Sequence, residues 1–171
     1  MVAGSHYEKK MTYSPEQLAD IEAIKDVAKR YSRGVDRLDL EVLKSAYWPD
    51  AIDEHGSFKG NAHTFAEFCM TGHLKWRSTS HCIFNHLIEL SDDGTHATGE
   101  VYNVSYLFQK DADVLDTWHG RYLDSYEKRE DEWRISHRIC VHEGTHTRPI
   151  HPMDIDTTQF TQGDHDRNNN H

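Results

Sequence analysis

An α+β fold, a curved antiparallel sheet wrapped around N-terminal helices, is predicted by three features of the chain. Apolar residues recur at three- and four-residue spacing near the N-terminus, from Leu18 to Val35. From Arg77 onward the chain turns into four stretches rich in β-branched and aromatic residues, separated by polar runs. A length of 171 residues fits one compact domain, and four Trp, eight Tyr and six Phe can fill a core despite an apolar content of 36%.

The first helix opens at Ser14-Pro15-Glu16-Gln17, a capping box with proline at the first helical position. Leu18, Ile21, Ile24, Ala28, Tyr31 and Val35 form its apolar stripe, and Asp36 falls at the end of that stripe. A second helix is expected from Asp39 to Tyr47, stopped by Pro49, and a third over Asn61–Thr71 after a short strand and turn in Asp50–Gly60. Four strands follow at Ser78–Leu90, Ala97–Gln109, Thr117–Glu127 and Trp133–Val141, an antiparallel meander. The domain spans residues 14–148. A polar tail over 149–171 could dock Ile150, Met153, Ile155 and Phe160 on the body as a cover for a pocket, while the final Arg167-Asn-Asn-Asn-His frays.

Charge narrows the partners. With 29 acidic against 19 basic side chains, a net of −10, the surface repels nucleic acid and anionic membranes. No run of 18 apolar residues occurs, and Met1–Met11 lacks the apolar core of a secretory signal, so a cytoplasmic protein is expected. Cys69, Cys82 and Cys140 have no short CxxC spacing and read as free thiols.

Fourteen histidines invite a metal reading. His142-Glu143-Gly144-Thr145-His146 fits the HExxH pattern, but that pattern joins both imidazoles on one helix face, and here it ends a strand in the company of Gly, Thr and Pro149. His81 and His86, like His137 and His142, are five apart on strands, which directs each pair to opposite faces. No metal site is expected. If Asn103 faces inward, Val101 and Ser105 go with it, leaving Tyr102, Val104 and Tyr106 on an outer face suited to a subunit contact or to the tail. Arg138 alternates with Cys140 and His142 on one face of the last strand, where an inward arginine needs an anionic partner.

Tyr31-Ser32-Arg33-Gly34-Val35-Asp36-Arg37-Leu38-Asp39, Tyr47-Trp48-Pro49-Asp50-Ala51, Asp53-Glu54-His55-Gly56, Phe58-Lys59-Gly60, Ser80-His81, Ile88-Glu89 and Gly120-Arg121-Tyr122, with Glu132-Trp133-Arg134-Ile135-Ser136-His137-Arg138, give the chain its family likeness. In order and spacing they resemble the SnoaL-like branch of the nuclear transport factor 2-like superfamily, from Glu16 to about Arg148. The resemblance implies a cone-shaped α+β barrel around a hydrophobic pocket, and an arrangement like that of hexachlorocyclohexane dehydrochlorinase and scytalone dehydratase. It implies Asp36, His81 and Arg138 as catalytic residues, with no cofactor. His81 then abstracts a proton from carbon, Asp36 holds its tautomer, and Arg138 stabilises developing negative charge.

Tyr31, Asn103, Arg121 and His142 are expected around a small hydrophobic substrate, in a pocket more polar than the dehydrochlorinase's. That polarity favours a lyase releasing water or a small carbonyl such as formaldehyde from a hydroxylated aromatic, lignin-derived or polycyclic compound. A ketosteroid-type isomerase, a polyketide cyclase and a non-catalytic ligand-binding module are the alternatives. Self-association as a homotrimer, or a dimer, is expected through the aromatic outer face.

Overall fold

The computed structural model describes residues 12–163. Helix α1 (Pro15–Asp36) begins as predicted: the Ser14 hydroxyl accepts from the Gln17 amide and the Gln17 side chain accepts from the Ser14 amide. Its stripe is buried from Ile24 onward, through Val27, Ala28, Tyr31 and Val35, whereas Leu18 stays exposed. Helix α2 (Leu40–Ser45) crosses so close that a Cβ at Gly34 would lie 2.5 Å from the Leu43 nitrogen, so only glycine fits there. The link between them is tight. Leu38 takes a positive φ of 48°, and the Asp39 amide donates back to the Gly34 carbonyl at 2.9 Å while its carboxylate caps α2. This junction fixes the position of Asp36.

Helix α2 is shorter than the expected Asp39–Tyr47. The Ala46 carbonyl accepts from the Ile135 amide at 3.0 Å, and this pairing draws Tyr47 into strand β1 (Tyr47–His55). Strand β2 (Phe58–Asn61) turns back through Gly56, whose φ of 66° reverses the chain. Asn61 caps helix α3 (Ala62–Gly72), and a single 3₁₀ turn, His73–Lys75, leads into the sheet. Strands β3 (Trp76–Leu90), β4 (His96–Gln109), β5 (Val114–Arg129) and β6 (Glu132–Pro149) form the expected meander, with most ends close to those predicted and the largest extension at the end of β6, which runs on from Val141 to Pro149. The sheet order is β2-β1-β6-β5-β4-β3. It departs from a wholly antiparallel sheet in one place, because β1 runs parallel to β6.

The helices fill the concave side of this open sheet. Ile24, Val27, Leu43, Phe65, Val101, Tyr122, Tyr126 and Ile135 meet in one core, each contributing roughly 1.5–3 kcal/mol by leaving water. Val101, Asn103 and Ser105 point inward as expected, and Tyr102 (45% exposed) points outward beside Phe84, Leu87, Leu123 and Ile139. No described helix is long and apolar enough to cross a membrane.

Two expectations need correction. Pairing moves from Ile83↔Asn103 to His86↔Val101, so Phe84-Asn85 contributes one extra residue, a β-bulge. The bulge returns His86 to the inner face shared with His81, where a regular strand would have put it outside. The tail, too, is no cover in the described residues: Met153 is 76% and Phe160 62% exposed. The final Arg167-Asn-Asn-Asn-His lies outside the described residues.

Candidate active site

Asp36 ends α1 against β3, and the adjacent strand residues converge on its carboxylate. Oδ1 accepts from the Thr79 hydroxyl at 2.8 Å and faces His81 Nδ1 at 2.6 Å, while Oδ2 accepts from the His81 amide at 2.9 Å. Burial pushes the Asp36 carboxyl up, but hydrogen bonds from the His81 ring and amide and from Thr79, with the charge of His81, outweigh it and hold the group below the ordinary carboxylate range. An ionised carboxylate can only accept, so Nδ1 carries a hydrogen, and in the neutral form of the ring Nε2 holds the lone pair. Thr79 and His81 share a face because they lie two apart on β3.

His81 lines a cavity of about 420 Å³. Trp76, Leu107, Trp118 and Tyr122 supply its apolar walls; Ser105, Thr117, Thr145 and Thr147 supply hydroxyls; His55, His73, His146 and Asp116 supply ionisable groups. Trp118 stacks on Tyr122 with ring centroids 6.3 Å apart. The Thr117 hydroxyl is buried without a hydrogen-bond partner, an open polar position among the lining residues. Hydrogen bonds from Thr147 and Gln109 hold Asp116 below the usual carboxylate range at the cavity wall. Most of the exposed wall surface is apolar, and hydroxyl, imidazole and carboxylate groups are set into it, a mixture suited to a small molecule with both flat apolar and polar parts.

The other predicted residues fall in different places. Arg138 is fully buried and does not line the cavity. Its Nε and Nη2 donate to the two oxygens of Asp124 at 2.7 Å each, and its guanidinium lies over the rings of Tyr122 (4.0 Å) and Tyr31 (4.3 Å). The anionic partner that an inward arginine requires is therefore a protein carboxylate. Tyr31 sits beneath the cavity, edge-on to His81 at 6.4 Å. Asn103 is inward, yet its amide donates to the Cys82 carbonyl and its oxygen accepts from Ser105, so Ser105 is the residue that reaches the cavity.

Arg121 is on the outer face. It pairs across the sheet with the outward Tyr102 and is held by Glu100 and Glu143, which corrects its expected place in the pocket. His142 is exposed, its ring 6.3 Å from Trp118. The HExxH segment lies within β6, so His142 and His146 are not one helical turn apart.

Solved structures share this architecture. One from Novosphingobium aromaticivorans DSM 12444, provisionally named a scytalone dehydratase, superposes with a TM-score of 0.68 at 20% identity, covering 81% of this chain and 96% of that one. Hexachlorocyclohexane dehydrochlorinase type 3 from Novosphingobium barchaimii LL02 gives 0.68 at 19% identity, over 82% of this chain and 97% of that one. A Mycobacterium tuberculosis protein of unknown function gives 0.67 at 22% identity, over 76% of both chains. At these identities the likeness is one of fold. No curated protein matches the sequence. The sequence profile of the SnoaL-like domain matches residues 16–139, and the chain thus belongs to the SnoaL-like family.

Proposed function

We propose that the protein is a cofactor-independent lyase that eliminates water or a small carbonyl from a hydroxylated aromatic substrate. One observation carries the reading: Asp36, saturated by three donors, fixes a histidine with its proton on Nδ1 at the wall of an aromatic-lined cavity. In that state His81 Nε2 takes a proton from carbon, and Asp36 stabilises the imidazolium that forms. Trp76, Trp118, Tyr122 and Leu107 hold the flat ring system, and the Thr117 and Ser105 hydroxyls meet its oxygens. The names of two structural neighbours, a dehydratase and a dehydrochlorinase, accord with elimination. Arg138, spent on Asp124, supports the site by seating Tyr31 and Tyr122.

His81→Ala lowers turnover of such substrates by at least ~100-fold with the fold intact by circular dichroism; full activity in that variant refutes the proposal. A non-catalytic binding module would retain the ligand unchanged and exchange no carbon-bound hydrogen in D₂O. Symmetric self-association, as a homotrimer, belongs to the same proposal. The outward apolar group of Phe84, Leu87, Tyr102, Leu123 and Ile139 supports it, and a monomer by light scattering at micromolar concentration contradicts it. The three free thiols suit a reducing compartment, the cytoplasm.

A further inference from the structure

A second His–Asp pair borders the same cavity. His55 lines it, with its ring stacked on Phe65 at 4.6 Å and Nδ1 facing Asp53 Oδ1 at 3.3 Å. Asp53 is wholly buried; its Oδ2 accepts from the Tyr47 hydroxyl at 2.7 Å, but its Oδ1 has no hydrogen bond. A carboxylate so far from water needs a counter-charge. The nearby Arg138 has given two hydrogen bonds to Asp124 and reaches Asp53 only through the Tyr47 hydroxyl, 3.3 Å from Nη1. The ring that faces Oδ1 directly is His55, whose Nδ1 is likewise buried without a hydrogen-bond partner.

We propose that His55, positioned by Asp53, is the general acid of this site, and that the group it expels is a hydroxyl leaving as water. This rests on the elimination reading above and extends it to the leaving group. The two histidines divide the work. His81 Nε2 takes the proton from carbon, the C–H electron pair becomes the new C=C bond, the C–O bond breaks with its pair on oxygen, and the His55 proton completes a water molecule. Proton exchange with solvent then resets both rings. A leaving group already stable as an anion, such as a carboxylate, has no use for His55.

That difference is the test. The probes are two aryl β-hydroxyketones, 3-hydroxy-1-tetralone and 3-hydroxy-1-phenylbutan-1-one, each assayed beside its 3-acetoxy ester. His55→Gln is expected to lower kcat/KM on the alcohols by ~100-fold and on the esters by less than ~3-fold, and Asp53→Asn shows the same split more weakly. His81→Ala loses both substrate types. His55→Phe, which keeps the stack on Phe65, repeats the measurement if the glutamine variant unfolds. Equal losses on alcohol and ester, or no loss on either, overturn the acid role and leave the His81 base standing. Wild-type protein that eliminates from neither overturns the elimination reading and the acid role together.

Discussion

Two hydrogen-bonded carboxylates under this sheet, the buried Asp124 and the partly buried Asp36, are used in opposite ways. Asp124 and Arg138 close on one another: two parallel hydrogen bonds, no exposure, and aromatic rings on the guanidinium. Asp36 is just as fully hydrogen-bonded, yet its partner His81 has a second ring nitrogen and lines a cavity. The lesson is that burial and pairing alone do not make a reactive group; a valence left unspent toward open space does. Arginine donates only, so Asp124 can hold it without remainder, whereas imidazole held at one nitrogen keeps a base at the other.

Breaking each pair separates them most sharply. Arg138→Met strands a buried carboxylate and is expected to lower unfolding free energy by about 3–5 kcal/mol in urea titrations, with part recovered when Asp124→Leu is added. Asp36→Asn does the reverse, costing less stability than Arg138→Met while turnover falls ~100-fold, about 2.7 kcal/mol of transition-state stabilisation. If the arginine variant is no less stable than the asparagine one, the division between sealed and open pairs fails.

How much of this was legible depends on the local signal. The capping box, the stripe ending in Asp36 and the four strands are written in short-range patterns, so the helices, the sheet and the Asp36–His81 meeting were within reach of the sequence with its family resemblance. Arg121 was not: its side is set by its pairing with Tyr102, and no local pattern states a cross-strand register. The bulge at Phe84-Asn85 is likewise invisible in composition, so the spacing of His81 and His86 alone puts on opposite faces two residues that share one. Thr79 and His55 do carry a local signal, since each stands two residues from a partner in its site, His81 and Asp53 respectively.

His86 extends the contrast to pH. Burial drives its ring down to about 4 from 6.5, with Asp124 opposing and Arg138 and Lys25 adding to the fall, and the Tyr126 hydroxyl lies 3.3 Å from Nε2. The unfolded chain therefore binds a proton that the native state refuses between those values. Stability is fully present above about pH 6.5 and declines as pH falls toward about 4. For a ring still partly open to solvent the loss should be of order 1–2 kcal/mol. His86→Phe flattens the dependence of thermal midpoint on pH over that window, and an unchanged slope shows that the native ring takes up its proton normally. Asp36 loses stability in the same direction but at lower pH: its lowered carboxyl contributes stability that is present above the ordinary carboxylate range and is lost as pH falls through and below it, a dependence that Asp36→Asn removes.

The smallest expected effect lies inside the open pair itself. Thr79 is buried, and its hydroxyl gives Asp36 Oδ1 the bond that competes with His81 Nδ1 for the same oxygen. Thr79→Val keeps the shape and removes that donor, which costs the carboxylate about 1 kcal/mol of hydrogen bonding. The His81 contacts remain, so the ring is still held, but by an Asp36 whose carboxyl moves back up toward its ordinary range. Turnover should fall by roughly 5-fold, and the acid limb of the kcat/KM profile should move with it, a change that loose packing alone would not produce. A stability loss with an unmoved pH profile would place Thr79 with the sealed interior, alongside Asp124.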